Sequence, residues 1–154
     1  MLIVNWLREN KTKIEIVLVV LLAAAALLHY YATIEGSEQA VVLFAFALAG
    51  FYFLSSFFVP DEELPLLFAT VGIKVINISS AVSLVGIVFV LTAAEGALDM
   101  LMVGLLSLII AGLLILYFVV ILGTGKLLPY LVRVVILGGI TGYMFFSLYK
   151  AEPM

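Results

Sequence analysis

Five long apolar segments alternate with short polar segments along the chain. Each apolar segment has about 20 residues or more, which as an α-helix is long enough to cross the roughly 30 Å hydrocarbon core of a bilayer. The pattern therefore predicts an all-α integral membrane protein, a single-domain bundle of five transmembrane helices. The predicted spans are residues 14–33, 40–59, 65–91, 93–122 and 127–149. A four-span arrangement with one re-entrant segment is the alternative, but every segment is long enough to cross.

The polar segments between the spans carry turn and capping residues. Ser37 is a candidate N-cap for the second span, and residues 60–65 hold two prolines around three acidic residues. Residues 92–95, Thr-Ala-Ala-Glu, fit a capping box, which places the start of the fourth span near Ala93. These connections hold only about four to eight residues, so they leave no room for a soluble active site.

The first 13 residues predict a short segment at the membrane interface. A helix there would place Trp6 at headgroup depth and the following basic residues in water, and a frayed terminus is the alternative. A cleaved signal peptide fits less well. The small residues 23–26 lie inside the first apolar segment instead of after it.

Composition supports lipid as the solvent and excludes several kinds of chemistry. Hydrophobic residues make up 66% of the chain, charged residues 11%, and the mean hydropathy is +1.36. The absence of cysteine excludes disulfides and thiolate sites, and a single histidine excludes bis-His haem ligation and an HExxH zinc site. No glycine-rich phosphate loop and no large basic patch occur. We therefore expect no catalytic residues, metal, cofactor or nucleic-acid partner.

Charge is distributed unevenly between the two sides of the predicted bundle. With five spans, one side carries most of the cations: Arg8, Lys11, Lys13, Lys126 and Arg133. The other side carries Lys150 and a set of acidic residues: Glu35, Glu38, Glu95 and Asp99. The positive-inside rule then predicts a plasma (inner) membrane protein whose N-terminus is cytoplasmic and whose C-terminus is outside.

The third span contains a charge and an amide inside its apolar sequence. Thr70, Lys74, Asn77 and Ala81 recur at helical spacing and share one face. A lysine near the middle of a membrane helix costs roughly 2.5–3.5 kcal/mol on insertion scales, so such residues usually have a partner or a route to water. Asn77 is too short to reach the interface, and we expect this face to point into protein.

One group of ionisable residues is expected on the cytoplasmic side. It comprises Glu15, Lys74, Arg133 and the acidic residues 61–63. Lys74 and Arg133 could form a basic pocket between helices that holds an anionic lipid headgroup or a small anion. The alternative is that both side chains extend to the interface, with Glu15 or Glu63 as a partner.

A second pair is expected on the opposite side. His29 lies near the end of the first span and Asp99 near the start of the fourth, at similar depths. Such a pair could relay protons, because imidazole titrates near neutral pH. The alternatives are a structural hydrogen bond, or no contact at all.

Small residues recur at helical spacing on three spans. They are Ala45 and Ala49, Ser79 and Ser83, and Gly138 and Gly142. Small residues four apart let membrane helices pack closely, although the pattern is common. We expect these faces to pack within the bundle or in a homo-oligomer.

The sequence therefore favours a small non-enzymatic membrane subunit that assembles with itself or with a membrane-protein partner, in contact with bilayer lipid and with anionic lipid as a candidate ligand. The alternative is an oligomeric channel or transporter-like protein, with an ion, proton or anion pathway through Lys74, Asn77, His29 and Asp99. A channel needs polar side chains along a continuous wet path, whereas an assembly subunit needs them paired or extended to the interface.

Overall fold

The chain forms five long helices in the computed structural model, which describes residues 10–32, 36–58, 67–123 and 127–151. The helices are α1 (Lys11–Ala32), α2 (Ser37–Phe57), α3 (Leu67–Leu91), α4 (Ala97–Leu122) and α5 (Leu128–Ala151). All five are long and apolar enough to cross a membrane. The protein is therefore an all-α multi-pass membrane bundle, as predicted. The expected interfacial segment and the acidic residues 61–63 lie outside the described residues.

Helix α3 lies at the centre of the bundle. It packs against α2, α4 and α5, while α4 also packs against α5, and α1 packs against α2. The core between these helices is apolar and includes Leu48, Ile76, Leu84, Leu108, Ile115 and Leu137. Ala45, Ala49, Ser79 and Ser83 are all buried, so these small residues lie within the bundle as the spacing predicted.

Helices α3 and α4 approach each other closely. A Cβ atom at Gly104 would lie 2.8 Å from Ser83 Oγ and 2.9 Å from Ser83 Cα, and one at Gly86 would lie 3.1 Å from the backbone nitrogen of Leu101. These distances are shorter than van der Waals contact. Glycine at these two positions lets the helix backbones meet, the same use of small residues that brings membrane helices together generally.

The turn between α3 and α4 differs from the predicted capping box. Thr92 Oγ1 donates a hydrogen bond to the Val88 carbonyl, 2.9 Å away, so the hydroxyl helps to end α3 and does not cap α4. Ala93 has φ 50° and the N-cap Gly96 has φ 78°, so the tight turn passes through two left-handed residues. Helix α4 therefore begins at Ala97, four residues later than predicted.

The start of α2 differs in the same way. Gly36, with φ 89°, is the N-cap and makes no side-chain cap, while Ser37 is the first helical residue. Glycine adopts positive φ at little cost, so the backbone at Gly36 turns into the helix directly. No side-chain hydroxyl group accepts a hydrogen bond from the first turn. The prediction that Ser37 is the N-cap is therefore wrong.

Helix α5 uses only part of its small-residue face inside the bundle. Val134 packs against α4, because a Cβ atom at Gly112 would lie 2.8 Å from Val134 Cγ1. A Cβ atom at Gly142 would lie 3.6 Å from Leu105 Cδ1, whereas one at Gly138 would have no atom within 4 Å. The two glycines of the predicted pair therefore differ in environment. Gly142 faces α4, whereas Gly138 faces open space outside the described bundle.

Candidate functional site

Four polar side chains from four different helices meet in the half of the bundle in which α1, α3 and α5 begin. We call this set the polar cluster; it comprises Glu15 of α1, Tyr52 of α2, Asn77 of α3 and Arg133 of α5. Glu15 and Arg133 lie in the first turns of their helices, and Tyr52 lies in the last turns of α2. The antiparallel path of α2 brings its last turns to the level at which α1 and α5 begin.

Arg133 is the centre of the hydrogen bonds in the polar cluster. Its Nη2 donates to Glu15 Oε1 in an ion pair, and its Nη1 donates to Asn77 Oδ1 at 2.9 Å. The Tyr52 hydroxyl also donates to Glu15 Oε1, at 3.1 Å. The side chains of Arg133 and Glu15 are only 11% and 21% exposed. Hydrogen bonds to ionised groups are stronger than neutral ones, so this pairing ties together helices that are distant in sequence.

Two tyrosine rings cover the guanidinium group. Its central carbon lies 4.3 Å from the centre of the Tyr52 ring and 5.4 Å from the centre of the Tyr130 ring. A cation near an aromatic face gains about 0.5–2 kcal/mol, with the larger values where water is excluded. The charge of Arg133 is therefore compensated by a carboxylate, an amide oxygen and two aromatic faces.

Several buried polar atoms lack a hydrogen-bond partner among the described residues. In the polar cluster these atoms are Asn77 Nδ2 and Arg133 Nε; deeper in the bundle they are the hydroxyl oxygens of Ser80, Ser83 and Thr141. Asn77, Ser80, Ser83 and Thr141 have no exposed surface. An unpaired buried donor or acceptor costs about 1–3 kcal/mol, so each of these atoms would be stabilised by a bound partner.

A cleft of about 480 Å³ lies beside the polar cluster, between the first turns of α1 and α5. Its polar lining includes Lys11, Glu15 and Arg133, and its apolar lining includes Ile16, Val19 and Val20. Lys11 Nζ lies 6.0 Å from the centre of the Tyr130 ring, which also lines the cleft. With two cations and one carboxylate, these lining residues carry a net positive charge.

The structure brings together two members of the first ionisable group, Glu15 and Arg133, and joins to them Asn77, which was predicted separately on the polar face of the third span. Arg133 contacts both Glu15 and Asn77, and Glu15 is one of the two partners that the sequence suggested for the basic residues. The Arg133 side chain is mostly buried and does not extend to the interface. Thr70, Asn77 and Ala81 are buried, so their shared face points into protein as predicted. Lys74 is half-buried and makes no hydrogen bond or ion pair with the described residues.

Tyr52 is the member of the polar cluster that was not predicted as a site residue. It lies three residues after Ala49 and seven after Ala45, and is therefore on the same helix face as these buried alanines. A tyrosine on a buried face needs a partner for its hydroxyl group. The spacing of Tyr52 from Ala45 and Ala49 is therefore the sequence feature that could have identified it as a buried polar residue.

His29 and Asp99 are not brought together among the described residues. His29 Nδ1 lies 3.0 Å from Ser37 Oγ, across the turn from α1 to α2, while Asp99 is exposed in the first turn of α4. Of the alternatives for this pair, the structure fits no contact between the two, and His29 bonds to Ser37 instead, which was not predicted. That bond joins the end of α1 to the start of α2.

Outside these contacts the described residues hold no group of three or more metal-ligating His, Asp or Glu side chains. The features of the described residues that bear on function are the polar cluster, the cleft beside it and the outer helix faces. Comparisons of the chain with protein-family models, with curated proteins and with solved structures found no match.

Proposed function

We propose that this protein is a non-enzymatic membrane subunit that acts by assembling with itself or with another membrane protein. The observation that carries the proposal is the polar cluster, in which Glu15, Tyr52, Asn77 and Arg133 bond to one another across four helices. Polar groups used in this way hold a bundle in one arrangement.

The ion pair of the polar cluster favours a fixed bundle on energetic grounds. Glu15 and Arg133 are both mostly buried, and removing either partner would leave a charge without compensation in a poorly hydrated site. The cluster therefore favours one relative position of α1, α3 and α5 over others. A bundle held in one arrangement presents a constant outer surface, which suits a protein that is recognised within the membrane.

The outer faces of α1 and α5 are the surfaces that we propose for assembly. Ala25 is the only buried side chain of α1 among those described, and Gly139 of α5 is exposed next to the open Gly138. Large apolar side chains flank these glycines, including Ile136 and Tyr143. A glycine among large apolar residues lets a second helix approach its backbone closely, and van der Waals packing is a main source of helix association in lipid.

Self-association of labelled protein in lipid vesicles tests the proposal. Subunits would be counted by single-molecule photobleaching at low protein-to-lipid ratio, and co-purification would be assayed in parallel. We expect stable assemblies of the parent chain, and at least a tenfold weaker association for Gly139→Leu, about 1.4 kcal/mol, because leucine keeps the backbones apart. Gly50→Leu is the matched control, since a Cβ atom there also has no atom within 4 Å. A monomeric parent chain with no bound partner would contradict the proposal.

One observation favours transport as a second candidate function. Asn77 Nδ2 and the hydroxyl groups of Ser80, Ser83 and Thr141 are buried without partners among the described residues, and bound water could connect such atoms. A proton or anion flux through vesicles, present with the parent chain and absent with Asn77→Leu, would support this candidate over assembly alone.

A further inference from the structure

We propose that the cleft between α1 and α5 is a binding site for an anionic phospholipid, whose phosphate lies at the mouth and whose acyl chain lies along α1. This inference does not depend on whether the protein assembles. It rests on the shape of the cleft, on the order of its polar and apolar residues, and on its charge.

The lining residues change from polar to apolar along α1. Lys11 is at the start of the helix, Ile16 follows, and Val20 is the deepest of the three. At 1.5 Å per residue, the distance from Lys11 to Val20 along the helix axis is about 14 Å. Ile16 is 57% exposed and Val20 is 59% exposed, so both offer apolar surface to a chain in the cleft. A phospholipid has the same order, with charge at one end and hydrocarbon below it.

The mouth of the cleft favours a negative headgroup. Lys11 and Arg133 both line the cleft, and Glu15 cancels one of the two positive charges. Arg133 Nε has no acceptor among the described residues, although its two neighbouring nitrogens are bonded to Asn77 and Glu15. The Nε atom is buried, so the guanidinium group acts on a headgroup at the mouth through its charge and not through this donor. Basic pockets between membrane helices are a known way to bind lipid headgroups.

The apolar part of the cleft favours a lipid over a free anion. A cleft of about 480 Å³ falls within the range of ligand pockets, roughly 300–1,000 Å³, and is much larger than a phosphate group needs. Val19 and Val20 would contribute nothing to the binding of a small anion, whereas each buried CH₂ group of an acyl chain contributes about 0.8 kcal/mol. The occupant is therefore an amphiphile.

The test measures phospholipid binding to the full chain in mild detergent by native mass spectrometry. Phosphatidylglycerol should bind at least fivefold more tightly than phosphatidylcholine, because only the former carries a net negative charge. Lys11→Gln should weaken phosphatidylglycerol binding about fivefold, the effect of one basic residue near a headgroup, and should leave phosphatidylcholine binding unchanged. Val20→Trp should weaken binding of both lipids, since the indole fills the apolar part of the cleft.

Lys13→Gln is the matched control, because Lys13 is an exposed cation on the same turn of α1 and is outside the cleft lining. It should change binding less than twofold, and all three variants should melt at the temperature of the parent chain. The proposal would be overturned by equal effects of Lys11→Gln and Lys13→Gln, which indicate non-specific attraction. Displacement of phosphatidylglycerol by millimolar inorganic phosphate would overturn it as well, in favour of a small-anion site.

Discussion

Arg133 is the residue on which the contacts of the polar cluster converge. It forms an ion pair with Glu15, a hydrogen bond with Asn77 and close contacts with the rings of Tyr52 and Tyr130. A buried ion pair does not by itself add stability over an apolar pair, because both charges lose water. Substitution of only one partner is the costly change. The remaining charged side chain stays buried and keeps its desolvation penalty without a compensating charge.

This reasoning gives a prediction for the ion pair. Arg133→Met should destabilise the protein by about 3 kcal/mol, because the Glu15 carboxylate stays buried without its cation. The double variant Glu15→Leu with Arg133→Met should be at least 1 kcal/mol more stable than the sum of the two single changes predicts, roughly the coupling of a contacting pair. Unfolding in mixed micelles, followed by circular dichroism, measures both quantities.

Lys150→Gln provides the control for a charge change on the same helix. Lys150 is exposed in the last turn of α5, so the substitution should change stability by less than about 0.5 kcal/mol. Simple additivity of Glu15→Leu and Arg133→Met would contradict the energetic coupling that we infer from the hydrogen bonds.

The individual members of the site were more predictable than their contacts. Asn77 and Arg133 are conspicuous as polar residues within apolar segments, and Glu15 lies near the start of one. Their meeting depends on the rotation of each helix about its axis and on which helices are neighbours. Local periodicity determines neither quantity. His29 illustrates the limit, because its depth matches that of Asp99 but its partner is Ser37, eight residues away.

Helices α3 and α4 pack closely against each other, and their contact depends on small residues. Gly104 meets Ser83, and Gly86 meets the backbone between Met100 and Leu101. Because the neighbour of Gly104 includes main-chain atoms, no change of side-chain rotamer could make room for a larger residue. The separation of these two helices is therefore fixed by the absence of a Cβ atom.

Gly104→Ala should separate α3 from α4 and destabilise the protein by about 1–3 kcal/mol, the usual cost of overpacking a core. The matched control is Gly50→Ala, in the interior of α2 with no atom within 4 Å of the new methyl group. This control should be neutral or slightly stabilising, because alanine is the better helix former. The two melting temperatures in the same detergent decide the matter, and an equal shift would contradict the close contact.

The existence of each helix was predictable from the length of its apolar segment, but two of the helix starts were not. At both starts a glycine with positive φ, Gly36 or Gly96, provides the turn. Sequence patterns favoured the hydroxyl residues nearby, Ser37 and Thr92, because such residues commonly cap helices. In the structure these hydroxyl groups are bonded to other partners, His29 and the Val88 carbonyl. A capping motif identifies a candidate hydroxyl; it does not determine which acceptor or donor that group will find.

The charged side chains of the described residues are unequally divided between the two ends of the bundle. Lys11 and Arg133 line the same cleft, so the end at which α1, α3 and α5 begin carries cations. Glu38, Glu95 and Asp99 are exposed at the starts of α2 and α4, which are at the opposite end. This distribution supports the expected orientation with a cytoplasmic N-terminus, and the orientation itself stays a prediction.

Cysteine labelling in intact cells tests the orientation without background, because the chain has no cysteine of its own. Glu95→Cys lies in the exposed turn before α4 and should react with a membrane-impermeant maleimide added outside. Lys13→Cys, exposed at the other end, should react only after the membrane is permeabilised. The reverse pattern of labelling would show that the N-terminus is outside.

The separation of Glu15 and Arg133 along the chain has a consequence for biosynthesis. These residues are 118 positions apart, with Glu15 in the first helix and Arg133 in the last. A ribosome therefore delivers the carboxylate to the membrane long before its guanidinium partner. Until α5 inserts, Glu15 lacks the guanidinium partner that it has in the complete bundle. Insertion of α5 supplies Arg133, whose bonds to Glu15 and Asn77 complete the polar cluster.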